Sequence, residues 1–310
     1  MNIAKASMAE DDHLQEAHES VHLTTEVTQK LLGSLDGRLP LLMKLQAATA
    51  ALRKTADEVA NPTNPLNEDT YSLAVTRLNE DTKPVAEALA WITAWGQPGI
   101  HEPVVRAALQ RLANIDDQHS GHSVWLRLRR WPAAVCLAAV GTSAVDAQRE
   151  DLLGRMLSWV IVRGLNKEES AAIGLSPGQA IDPGVARSSL GRGRAHTPVD
   201  DLIGEQLTKW LVPDLIDSEA QLDDAFDRYQ FLAGLVHLDE STTRGRNAWA
   251  PTGSFSWRRE YRWALPDKVA TELERWGDGW PLLAAGLFGS DVVRAKKALD
   301  HYRQMIEQGR

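Results

Sequence analysis

The sequence predicts a mainly α protein, a helical bundle or irregular helical array with one β-hairpin insertion near residues 243–263. Three observations lead there. Apolar residues recur at spacings of three and four through most of the chain, the period at which one helix face meets a core. Glycine and proline crowd a single stretch, Gly164 to Pro198, which interrupts that period. From Phe255 the pattern switches to a period of two, as a half-buried strand requires.

Taken in order, the periodicity predicts helices near residues 10–32, 39–60, 68–80, 84–95, 103–114, 123–140, 146–164, 200–212 and 267–276. Leu66, Asn67, Glu68, Asp69 and Thr70 recur as Leu78, Asn79, Glu80, Asp81 and Thr82. Short polar residues followed by acids suit helix N-termini, because they accept from free amides and complement the dipole, so two helix starts are expected. Ser218 with Gln221 forms a capping-box start for a helix carrying Leu222, Phe226, Tyr229, Leu232 and Val236 on one face. The last helix aligns Val292, Ala295, Leu299, Tyr302 and Ile306.

The Gly- and Pro-rich stretch divides the chain into an N-terminal helical domain, 1–164, a loop or linker, 165–198, and a C-terminal helical domain with the hairpin, 199–310. In the expected hairpin, Phe255, Trp257, Tyr261 and Trp263 point one way, and Ser254, Ser256, Arg258, Glu260 and Arg262 the other. Pro251, Thr252 and Gly253 supply the turn, with Thr243 to Trp249 as partner strand.

With 310 residues, 43% hydrophobic and 25% charged, the composition is that of a globular protein and excludes disorder throughout. A net charge of −8 disfavours nucleic acid as a partner, since affinity for phosphates rests on basic groups. The single cysteine, Cys136, lies in an apolar run and reads as a buried thiol, which fits a reducing cytoplasm. The acidic first thirty residues do not resemble a secretory signal, and no apolar run is long enough to span a membrane. A preference for Ala, Arg and Leu fits a bacterial source.

His18 and His22 would stand one turn apart on a helix, where two imidazoles can hold one metal ion. The run His18, Glu19, Ser20, Val21, His22 is similar, over those five residues, to the His-Glu-x-x-His helix of zinc-dependent metallopeptidases. The resemblance implies zinc as cofactor, His18 and His22 as ligands and Glu19 as the base that activates a zinc-bound water. A third ligand would come from Glu58, Glu68, His119 or His122. The other reading is a solvated acidic helix with Leu14, Val21 and Leu31 on its core side. Asp116, Asp117, His119 and His122 form a second loose group that loop composition also explains.

Eleven tryptophans stand against four Phe and four Tyr, and Trp249, Trp257, Trp263, Trp276 and Trp280 fall close together among Arg244, Arg246, Arg258, Arg259 and Arg262. Indoles and guanidinium groups are the usual anchors of interfaces and also stack on single-stranded nucleic acid. The internal alternative pairs these arginines with the acidic stretch 213–240, whose only base is Arg228. Arg127 and Arg130 form a smaller basic group, and the glycines around Arg192 and Arg194 match no phosphate-binding fingerprint. No Cys-x-x-Cys pair occurs. The expected function is a non-catalytic macromolecular-interaction protein with no cofactor. It would be a subunit or regulator of a cytoplasmic, bacterial multi-protein assembly, such as a stress or phage-defence complex. It would bind a protein partner through Trp249, Trp257, Arg258, Arg259, Arg262 and Trp263; a homo-oligomer is also compatible. The alternatives are a zinc-dependent hydrolase and single-stranded nucleic-acid binding.

Overall fold

The computed structural model describes residues 23–34, 37–61, 65–114, 122–164, 167–246, 249–257 and 261–308. The chain is mainly helical. The first described elements are α1 (Thr25–Leu32), α2 (Arg38–Val59), α3 (Glu68–Trp95) and α4 (Glu102–Ala113). Thr24 caps α1 by accepting from the Val27 amide, and Asn67 caps α3 by accepting from Thr70. The two helices expected at 68–80 and 84–95 are one. Pro84 lies inside α3, and Asn79, instead of capping a second helix, accepts the indole N–H of Trp131 at 2.7 Å. Proline removes one hydrogen bond, and the burial of Leu78, Val85 and Leu89 on the same face holds the helix through it.

α5 (Ser123–Leu128) and α6 (Trp131–Asp146) replace the single helix expected at 123–140. Pro132, in the first turn of α6, marks the break, since a proline there forgoes an N–H that a helix start leaves unpaired anyway. Every residue from Trp131 to Ala144 is buried, so α6 is the central helix; it lies against α3, α4 and α7 (Glu150–Trp159). β1 (Ile161–Gly164) pairs antiparallel with β2 (Lys167–Ser170), Ile161 opposite Ser170 and Gly164 opposite Lys167. The stretch taken as a linker carries β2 and the short helices α8 (Ala171–Gly174), α9 (Pro177–Ala180) and α10 (Pro183–Ser189), with Ala171 to Leu175 buried. α11 (Pro198–Leu211), α12 (Glu219–Thr243), α13 (Tyr261–Trp276), α14 (Pro281–Ala284) and α15 (Val292–Gln308) follow. α12 also packs against α6, and the buried apolar cluster draws on residues from Leu23 to Ile306. Among the described residues, no helix is long and apolar enough to cross a membrane.

The fold class is as predicted, but the hairpin is not where the alternation placed it. It spans 161–170, whereas α12 runs on through Thr243, Ser254–Trp257 form a 3-10 turn and α13 begins at Tyr261. Residues 249–257 do not pair with a strand. They run back along one face of α12 as a strap, over His237, Gly234, Gln230 and Asp227 in turn. Tyr302 Oη donates to the Pro251 carbonyl at 2.5 Å, the Ser254 amide donates to Gln230 Oε1 at 3.1 Å, and Ser254 Oγ to Asp227 Oδ1 at 3.1 Å. Side chains thus satisfy the backbone that a partner strand would have satisfied. Gly234 makes the approach possible, because a Cβ there would stand 2.1 Å from Tyr302 Oη and 2.6 Å from the Pro251 oxygen.

Candidate functional site

His18, Glu19 and His22 lie outside the described residues, as do His119, Arg258 and Arg259. Arg262 and Trp263 fall in the first turn of α13, with their side chains also outside the description. Of the other candidate zinc ligands, Glu58 is exposed and pairs with Lys54 at 3.8 Å, Glu68 opens α3, and His122 precedes α5 on the surface. Among the described residues, no three His, Cys, Asp or Glu side chains are grouped to hold a metal. Cys136 is fully buried, and burial raises its thiol far above the usual range.

The two described indoles of the predicted partner-binding set sit at opposite ends of the strap. Trp249 meets His237 edge to face, with ring centres 6.1 Å apart. Trp257 stacks on His196 at 3.9 Å and 10°, which joins the strap to the Gly-rich loop. Both remain open to solvent, 61% for Trp249 and 46% for Trp257. Several arginines of the sequence reading have internal partners: Arg246 pairs with Glu169, Arg244 donates to the Glu168 carbonyl, and Arg127 pairs with Asp182. Arg187 closes its own loop by donating to the carbonyls of Ala195 and His196.

A cleft of about 500 Å³ opens where the α6–α7 corner faces the first half of α12 and the α13–α14 corner. That is the size of a ligand or side-chain pocket. Its centre is Arg228, nearly buried, whose guanidinium makes a two-pronged pair with Glu150 at 2.5 and 3.0 Å and reaches Glu272 at 2.6 Å. Glu150 is the first residue of α7, where the helix dipole favours an acid, and Glu272 comes from α13. Burial works against the Arg228 charge, but the hydrogen bonds it donates to both carboxylates outweigh it and raise its pKa. Both carboxylates are therefore held by one cation.

Gln148 turns the α6–α7 corner with φ of 57°, a left-handed conformation few side chains adopt. Trp276, 54% exposed, stands at the cleft beside Trp280, which is buried against Phe288 and whose indole N–H has no hydrogen-bond partner among the described residues. An unsatisfied buried N–H costs on the order of 1–3 kcal/mol. Asp224, Lys268 and Arg275 add charges of both signs to the lining. Sequence reasoning did not assign Arg228, Glu150 or Glu272 to a site. The available signal was Arg228 itself, the lone base of an acidic stretch, one turn before Leu232 on the buried side of α12.

Known protein families, curated proteins and solved structures yield no match to this chain.

Proposed function

We propose that this chain is a non-catalytic interaction protein, a subunit or regulator of a multi-protein assembly in a reducing, bacterial cytoplasm. In this reading it docks a partner protein through Trp249, Trp257 and Trp276, with the cleft beside Trp276 receiving one of the partner's side chains. The observation that carries it is the exposure of these three indoles, each about half or more, in one C-terminal stretch. An indole offers up to ~250 Å² of contact, so the exposed part of each represents about 2–3 kcal/mol of burial left unused. Contrast Trp159, also partly exposed, whose ring is covered by Arg106 at 5.3 Å and Arg155 at 5.9 Å. Aromatic anchors beside a preformed cleft are what interface hot spots are made of. Balanced charge in the cleft favours a protein over the phosphates of a nucleic acid.

The test is recovery of the partner by tagged chain from its native cell, with mass spectrometry, for wild type and for the Trp249→Ala, Trp257→Ala, Trp276→Ala triple variant. A partner lost by a variant that still melts cooperatively supports the reading. Equal recovery refutes it, and recovery of nucleic acid that falls steeply with salt replaces it with the nucleic-acid alternative.

A further inference from the structure

Beneath the strap lies a second, smaller space, about 30 Å³, enclosed by α6, α8, α11 and α12 and roofed by Pro251 and Gly253. Leu137, Ile203 and Phe226 make its wall apolar, and Asp200 and Gln230 interrupt that wall. Asp200, the third residue of α11, is 9% exposed. Its Oδ1 accepts from Gln230 Nε2 at 2.7 Å, and the Gln230 oxygen in turn accepts from the Ser254 amide and hydroxyl. No described Lys or Arg lines the cavity. The charged neighbours that bear on Asp200 are Asp201 of α11 and Asp227 of α12, both acids. Tyr229 of α12 faces the same space, Tyr302 of α15 lies within the carboxylate's field, and the lining residues of α6, α7, α8 and the strap are uncharged.

A carboxyl in such surroundings either keeps its proton or acquires a cation, because an unpaired buried anion costs several kcal/mol. Aromatic rings at the wall add a second attraction for a positive charge. The room available, compared with the ~10–15 Å³ that one water needs, admits a guest of about two non-hydrogen atoms. We infer that this cavity is a binding site for a small primary ammonium ion, of the size of ammonium or methylammonium, with Asp200 as counter-charge and Phe226 and Tyr229 around it. Gly253, left-handed at φ of 68°, keeps the roof compatible with Gln230, since a Cβ there would stand 2.9 Å from the Gln230 oxygen.

Methylammonium chloride, compared with tetramethylammonium chloride at equal ionic strength, tests the assignment by thermal melting and by titration calorimetry. Tetramethylammonium is too large to enter and controls for salt. The expected result is a higher melting temperature and a measurable heat with methylammonium alone. Near neutral pH that heat should include proton release from Asp200. Asp200→Asn keeps an acceptor for Gln230 and is expected to weaken binding about tenfold or more, with no proton release. Ala138→Val, which adds two carbon atoms to the cavity and leaves the carboxyl in place, gives a second variant with the same expected loss. Equal responses to the two salts, or an unchanged response in folded Asp200→Asn, would show that the cavity holds water alone and overturn the assignment.

Discussion

Asp200→Asn also makes a quantitative prediction in the absence of any cation. Burial first, then Asp201, pushes the Asp200 carboxyl from 3.8 up to about 7. Its folded pKa therefore exceeds its unfolded one, so the protonated acid favours the native state. That contribution is fully present below pH ~4, declines as pH rises, and is lost once pH passes ~7. The interval between the two values corresponds to about 4 kcal/mol, an upper figure because a loosened strap or an entering water would shield the charge. Asparagine occupies the same volume, still accepts from Gln230 and never ionises. The variant should match wild type below pH ~4 and exceed its stability by as much as about 4 kcal/mol above pH ~7. Urea unfolding of both proteins at a series of pH values, in buffers free of amines, measures the difference directly. A difference independent of pH, or a variant less stable than wild type at pH ~8, would refute the argument that this carboxyl is desolvated.

Arg228→Met removes the cation shared by Glu150 and Glu272 while keeping most of the side-chain volume. It should cost about 3–5 kcal/mol and lower the melting temperature by roughly 6–15 °C, with much of the loss recovered in the triple variant that adds Glu150→Gln and Glu272→Gln. Gly234→Ala places a methyl group against the Tyr302 hydroxyl and the Pro251 carbonyl, so it should destabilise by about 1–3 kcal/mol and speed proteolysis within residues 249–257. Trp276→Ala should change unfolding free energy by less than about 1 kcal/mol and still reduce partner recovery; a larger loss of stability would mean that the indole is part of the core.

The helices were largely legible in the sequence, and the failures share a cause. In α12 the cap and the apolar face come from residues a few positions apart: Ser218 Oγ accepts from the Gln221 amide at 3.2 Å, and Leu222, Phe226, Tyr229, Leu232 and Val236 are buried as their spacing requires. α15 follows from its stripe in the same way. The aromatic alternation from Phe255 misled because Phe255 is buried against Phe231 while Trp257 turns outward to His196, so period two did not mark a common face. The true hairpin at 161–170 is too short to show a period of its own. The second polar repeat, around Asn79, reads as a helix start until Trp131, far along the chain, claims its side chain.

What the sequence by itself determined is most of the long helices and the buried cysteine, because each follows from local spacing or from composition. What only the tertiary structure decided is which side chains meet. Glu150 and Glu272 reach Arg228 across separations of 78 and 44 residues, and Gln230 links Asp200 to the strap across 30 and 24. Such contacts leave no local pattern, since burial selects them when helices pack and each buried charge or amide must find a partner wherever the chain brings one.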